Sequence, residues 1–94
     1  MRQEFVIDLK GATDAGAIQD ALAANLPLPQ GYGRNLDAFY DVLTEYGADW
    51  RIVFRNAGRA ATSLRAVCRD AVAETPGLEI VFEKKRRTIS RKRP

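Results

Sequence analysis

Three runs of strand-forming residues, EFVIDL at 4–9, RIVFRN at 51–56 and LEIVFE at 78–83, constrain this chain more than any other feature. Each is short, nearly continuous in apolar residues, and rich in β-branched and aromatic side chains. Helical patterns separate them. Strands of this kind favour a sheet covered by helices, and helical crossovers favour parallel pairing. The expected class is α/β: a small three-stranded parallel sheet packed with three to four helices.

The connecting segments carry clear punctuation. Thr13 or Asp14 can cap a first helix over roughly 14–26, where Ile18, Ala21, Leu22, Asn25 and Leu26 recur at helical spacing before Pro27 and Pro29 stop it. PLPQGYG is too rich in proline and glycine for a regular element. Asn35 is a good cap for a second helix, whose core stripe is Leu36, Phe39, Tyr40 and Leu43 and whose end is Gly47. AGRAAT, 57–62, reads either as a loop or as a loose short helix. From about Thr62 a third helix turns Leu64, Val67, Cys68 and Ala71 inward, and Pro76 and Gly77 terminate it.

The 94 residues fit one domain, 1–83, followed by a tail. Residues 84–94 contain Lys84, Lys85, Arg86, Arg87, Arg91, Lys92 and Arg93 and no acidic group. These are seven of the fifteen basic residues, so the remaining eight face all twelve acidic ones, and the net +3 conceals a body near −4 and a tail of +7. A partner inferred from overall charge would have the wrong sign for the folded part. The tail could contact nucleic-acid phosphates, but it has no aromatic residue for base stacking. Its composition favours a disordered, solubilising extension.

Several chemistries lack their residues. The chain has no histidine, so the commonest general base and metal ligand is missing. Cys68 stands alone, which removes thiolate zinc clusters and internal disulfides, and its apolar neighbours make it a buried small hydrophobe. Gly31 and Gly33 are not the start of a dinucleotide loop, because prolines rather than a strand precede them. No cofactor is expected. The N-terminus shows no secretory pattern and no apolar run is long enough to span a membrane, so a cytoplasmic protein is the default expectation.

Asp37 and Asp41 lie one turn apart on the second helix, where like charges cost a few tenths of a kcal/mol. Nothing else in the chain supports a metal or catalytic role for them. On a helical wheel they fall to one side of the core stripe, with Tyr40 between them and the core and Thr44 in the same quadrant, rather than at the centre of the solvent face. An acidic pair rimmed by an aromatic suits recognition of a cationic surface. A half-buried tyrosine beside ordinary surface aspartates is the plainer reading. Asp70 and Glu74 form a second acidic edge on the third helix, and spacing alone does not say whether the two edges share one side of the sheet.

GYGRNLDAFYDVL preceded by LPLP, together with FVIDL, VCRDAVAE and the final strand, resembles the barstar family of intracellular inhibitors of secreted guanyl-specific ribonucleases. The resemblance covers most of residues 4–83. It implies a parallel three-stranded sheet with helices, no catalysis, and a partner ribonuclease whose active site is plugged by the second helix and the loop before it. By motif position it implies contacts from the loop Gly31, Tyr32 and Gly33, from Asn35, Leu36 and Asp37, from Tyr40 in place of an interface tryptophan, and from Asp41 as the dominant acidic contact. Thr44 shares that face. Asp70 matches an acidic contact position with a shorter side chain, and Val67 and Glu74 match its neighbours. Gly31 stands where the family has a loop aromatic, the 56–63 region is shorter than the family's, which puts its third helix in doubt, and the basic tail has no counterpart. A nucleic-acid-binding protein acting through the tail, and a non-inhibitory interaction module, are the competing expectations.

Overall fold

The computed structural model describes residues 2–83; the basic stretch, and the reading of it as a nucleic-acid contact, lie outside the described residues. Strand β1 (Gln3–Asp8) leads to helix α1 (Ala15–Asn25) and helix α2 (Leu36–Tyr46). A single 3-10 turn, Gly47–Asp49, joins α2 to strand β2 (Trp50–Arg55), and helix α3 (Ala61–Glu74) then leads to strand β3 (Glu79–Phe82). The sheet order is β1-β2-β3 and both pairings are parallel. The expected α/β class is therefore the observed one, with three α-helices. The ambiguous 57–62 segment is a loop as far as Ala60.

The helix starts follow the capping chemistry read from sequence. The Asp14 carboxylate accepts a hydrogen bond from the Ala17 amide at 2.8 Å, and the Asn35 side-chain oxygen accepts one from the Ala38 amide at 2.7 Å. Such caps satisfy amides that the first helical turn leaves without partners. α3 has no side-chain cap.

The helices cover one face of the sheet only, which corrects the expectation of a covered sheet. Phe5, Ile7 and Leu9 of the first strand region pack with Trp50, Ile52 and Phe54 of β2 and with Leu78, Ile80 and Phe82 around β3, and this face meets Leu22 of α1, Phe39 and Leu43 of α2, and Leu64 and Cys68 of α3. Glu4, Val6 and Asp8 alternate with those residues along β1 and are exposed. The topology supplies the reason. Parallel crossovers are right-handed, so two successive steps in the same direction put both connections on one side.

The uncovered face is organised in rungs by the strand register. Glu4, Arg51 and Glu79 are aligned across the three strands, with Val6, Val53 and Val81 in the next rung. The Arg51 guanidinium bridges Glu4 and Glu79, Arg2 also reaches Glu79 at 2.7 Å, and Arg55 meets Glu83 at 3.0 Å. Val53, 6 % exposed, is buried yet stands apart from the main core. Exposed pairs of this kind contribute little to stability, because solvent screens them. Their larger effect is to make a bare sheet face polar.

Candidate functional site

The loop 26–35 is held by three contacts before α2 begins. The Tyr32 amide donates to the Pro29 carbonyl at 3.1 Å and Gly31 has φ +84°, which defines a type II turn with glycine at its third position. The Tyr32 hydroxyl donates to Gln19 Oε1 at 2.7 Å, and Arg34 pairs with Asp20 at 2.7 Å. Both bonds tie the loop to α1. Burial raises the Tyr32 pKa above the usual phenol value, and the Gln19 bond partly offsets this.

The turn accounts for Gly31 locally. A Cβ there would meet nothing within 4 Å, so space does not exclude a side chain; the positive φ disfavours it. Gly33 is also exposed, and a Cβ on it would sit 3.3 Å from that of Ala38.

On α2, Phe39, Val42 and Leu43 are buried, and Leu36 and Tyr40 are partly buried against the same core. Val42 was missed by the stripe read from sequence, and it turns the buried direction of the helix. With roughly 100° per residue, Phe39, Val42 and Leu43 centre opposite the arc of Asp37 and Asp41. The acidic pair therefore stands near the middle of the solvent face, which corrects the expectation that it lay off one side of the core. Tyr40 remains half-buried between Asp37 and the core. The Thr44 hydroxyl donates to the carbonyls of Tyr40 at 3.0 Å and Asp41 at 3.2 Å, so it is engaged by its own helix.

α3 packs against α2 on the same side of the sheet. Ala61, Leu64, Cys68 and Ala71 point into the core, Val67 is partly buried, and Asp70 and Glu74 are exposed. Arg65, Arg69 and Val72 line the side of α3 next to β3, so by helical spacing Val67, Asp70 and Glu74 occupy the side next to α2. The two acidic edges that spacing alone could not relate thus lie on adjacent helices, with Tyr40 and Val67 between them. At the other edge of α2, the 29–33 loop meets Asp41 and Glu45 around a shallow groove of about 180 Å³. Tyr46, half exposed at 50 %, stands at its end. Glu45 and Tyr46 were not among the residues singled out from sequence, although Asp41 and Glu45 repeat the same i,i+4 spacing as Asp37 and Asp41.

The predicted residues divide by how free their polar atoms are. Tyr32 and Asn35 spend theirs on the loop and the helix cap, and Leu36 is part of the core margin. Among the described residues, Asp37, Asp41, Glu45 and Glu74 make no ion pair, and Asp70 has only Arg69 at 3.8 Å. Most of the other carboxylates are occupied: Glu4, Asp20, Glu79 and Glu83 by arginines, Asp8 by Asn56 at 2.9 Å, and Asp14 as a cap; Asp49, in the turn after α2, is the exception among the described residues. No group of three His, Cys, Asp or Glu among the described residues is arranged to hold a metal ion. No described helix is long and apolar enough to cross a membrane.

Fold and surface together define a small α/β protein with a three-stranded parallel sheet, helices on one face, and carboxylates collected on the outer surface of the last two helices. A family model described as Barstar (barnase inhibitor) matches residues 2–88, and the chain belongs to that family. A search of curated proteins found no match.

Proposed function

We propose that this chain is a protein inhibitor that acts in the cytoplasm by binding and blocking the active site of a guanyl-preferring microbial ribonuclease. The contact surface is α2 with the loop before it, supported by α3: Gly31, Tyr32, Gly33, Asn35, Leu36, Asp37, Tyr40, Asp41 and Thr44, with Val67, Asp70 and Glu74. In this reading residues 1–83 are the binding body and 84–94 a separate tail. The observation that carries the proposal is the segregation of unpaired carboxylates onto α2 and α3, in a chain whose other acidic groups mostly have partners. Family membership supports it.

A ribonuclease gathers cations to hold phosphate, and a rigid helix bearing aspartates can occupy that site in place of the substrate. Inhibition is then steric, with charge complementarity setting the rate of encounter and the register. No bond in either protein need change.

The test is residual RNA cleavage by a panel of guanyl-preferring ribonucleases mixed with the protein. Asp41→Ala removes a charged hydrogen-bond partner and should weaken inhibition of the responsive enzyme by roughly 10- to 100-fold. Glu79→Ala, on the uncovered sheet face, should change it little. Absence of inhibition across the panel, or equal small effects of the two substitutions, refutes the assignment.

A further inference from the structure

The cations of the described body sort as sharply as its carboxylates. Arg2, Arg34, Arg51 and Arg55 each have a carboxylate within ion-pair distance, and Arg69 has Asp70 at 3.8 Å. Among the described residues Lys10, Arg59 and Arg65 have none. All three lie at the end of the molecule where the parallel strands finish: Lys10 follows β1, Arg59 is in the loop after β2, and Arg65 is in the second turn of α3. Crevices outside the carboxyl ends of the strands are the usual ligand sites of open parallel sheets.

A cleft of about 620 Å³ occupies this position, lined by Lys10, Asn56, Arg65, Phe82 and Glu83 among others. Backbone packing fixes its rim. A Cβ on Gly58 would lie 2.4 Å from the Ala12 carbonyl oxygen, so only glycine lets the β2–α3 loop seat itself on the loop after β1. That contact brings the Arg59 loop beside Lys10. The Arg65 guanidinium stacks over the Phe82 ring at 4.5 Å from its centroid, and Phe82 stacks in turn on Phe54 at 4.8 Å. The cation is thus held in place by an aromatic pair without being neutralised. Glu83 is the acidic group lining the cleft, and Arg55 meets it at 3.0 Å.

We propose that this cleft is a second binding site, for the phosphodiester backbone of single-stranded nucleic acid, with Lys10 and Arg65 on its lining and Arg59 on the adjoining loop as its phosphate contacts. Cations without a carboxylate at ion-pair distance are what backbone binding needs; Asp8, which accepts from the Lys10 amide and from Asn56, is the one further acidic group beside Lys10, and the acidic surface of α2 and α3 is built from other residues. Phe82 has one face on Phe54 and the other under Arg65, so no ring in the cleft is free to stack a base, and binding is indifferent to sequence. The next residues in the chain, from Lys84 onward, extend the same sign of charge. The site does not depend on the inhibitory reading.

Fluorescence anisotropy of labelled 12-nucleotide oligo(U) and oligo(dT), measured with the full chain over a salt series, tests the proposal. Three phosphate contacts on a single strand contribute a slope of about −2 in log K against log salt. The combined variant Lys10→Gln, Arg59→Gln and Arg65→Gln should lose that increment and bind on the order of a hundredfold more weakly at 0.1 M salt. Because Arg65 also packs on Phe82, the double variant Lys10→Gln, Arg59→Gln is measured beside it and should lose about two thirds of the slope change. Equal loss on RNA and DNA supports backbone recognition; loss on RNA alone overturns it in favour of 2′-hydroxyl readout. An unchanged slope and affinity in both variants would put all binding in Lys84–Arg93 and overturn the cleft, as would no binding by the unaltered chain.

Discussion

Replacing Tyr32 by phenylalanine removes a single oxygen and leaves the ring, so it deletes the bond that pins the 29–33 loop to α1 together with the longer contact of the same hydroxyl to the Asn35 carbonyl at 3.4 Å. The acceptor, Gln19 Oε1, lies 2.7 Å from the hydroxyl, and Gln19 is only 4 % exposed. Leaving a buried acceptor unmade costs about 1–3 kcal/mol. Gln19 borders a cleft of about 360 Å³ shared by the three helix starts, where water can replace part of the lost bond, so the cost belongs near the low end. An expected loss of about 1–2 kcal/mol lowers the urea midpoint by roughly 0.5–1 M for a slope near 2 kcal/mol/M. Adding Gln19→Leu removes both polar partners, and replacing both by apolar groups is far less costly than orphaning one. The two substitutions should therefore couple by about 0.5–2 kcal/mol in a double-mutant cycle read by urea denaturation. If Tyr32→Phe shifts stability by less than about 0.3 kcal/mol, or if the singles simply add, the bond does not pin the loop.

Two further expectations rest on individual groups. Cys68 is 2 % exposed and burial pushes its thiol up to about 12, so a thiol reagent at neutral pH should modify it only as fast as the protein unfolds; rapid labelling of the native protein would refute its placement. The Asp8 carboxyl is held below its usual value first by the Asn56 side chain and then by the Lys10 amide, so its contribution to stability is present above the unfolded pKa and lost as pH falls through the lower folded value. Asn56→Gly keeps the left-handed backbone at φ +54° while removing that side chain, and an NMR titration should show the Asp8 pKa rise; no movement would refute the cause.

The elements were legible because each is bounded by chemistry that acts locally. Asp14 and Asn35 cap the helices they were expected to cap, and Pro27, Gly47 and Pro76 mark ends that fall within a residue or two of the observed ones. What stayed hidden depends on topology. The strands looked uniformly apolar, yet Val6, Val53 and Val81 form a rung on the uncovered face, and only the β1-β2-β3 order explains why no helix lies over them. Likewise Val42 and Tyr40 are both plausible core positions on a wheel. Only packing against the neighbouring elements makes Val42 the buried one and turns Asp37 and Asp41 toward solvent. Gln19 was invisible for a related reason: a glutamine on α1 signals nothing until the loop returns Tyr32 to it.

The carboxylates of α2 stay unpaired at a small net cost in stability, and that cost is what the proposed binding face would offset. Asp37 lies in the first turn of α2, where the positive end of the helix dipole favours it by about 0.3–1 kcal/mol. Asp41 and Glu45 have no such compensation, and the spacings Asp37–Asp41 and Asp41–Glu45 each cost a few tenths of a kcal/mol in repulsion. On the uncovered sheet face the same chain intersperses arginine among its acids, whereas along the outer face of α2 it does not. A cationic partner would turn the repulsion along α2 into attraction, and the farther an acidic group lies from the helix start, the more its presence depends on that partner. This ordering makes Asp41 a sharper probe of the proposed inhibitory face than Asp37, whose retention the helix alone would explain.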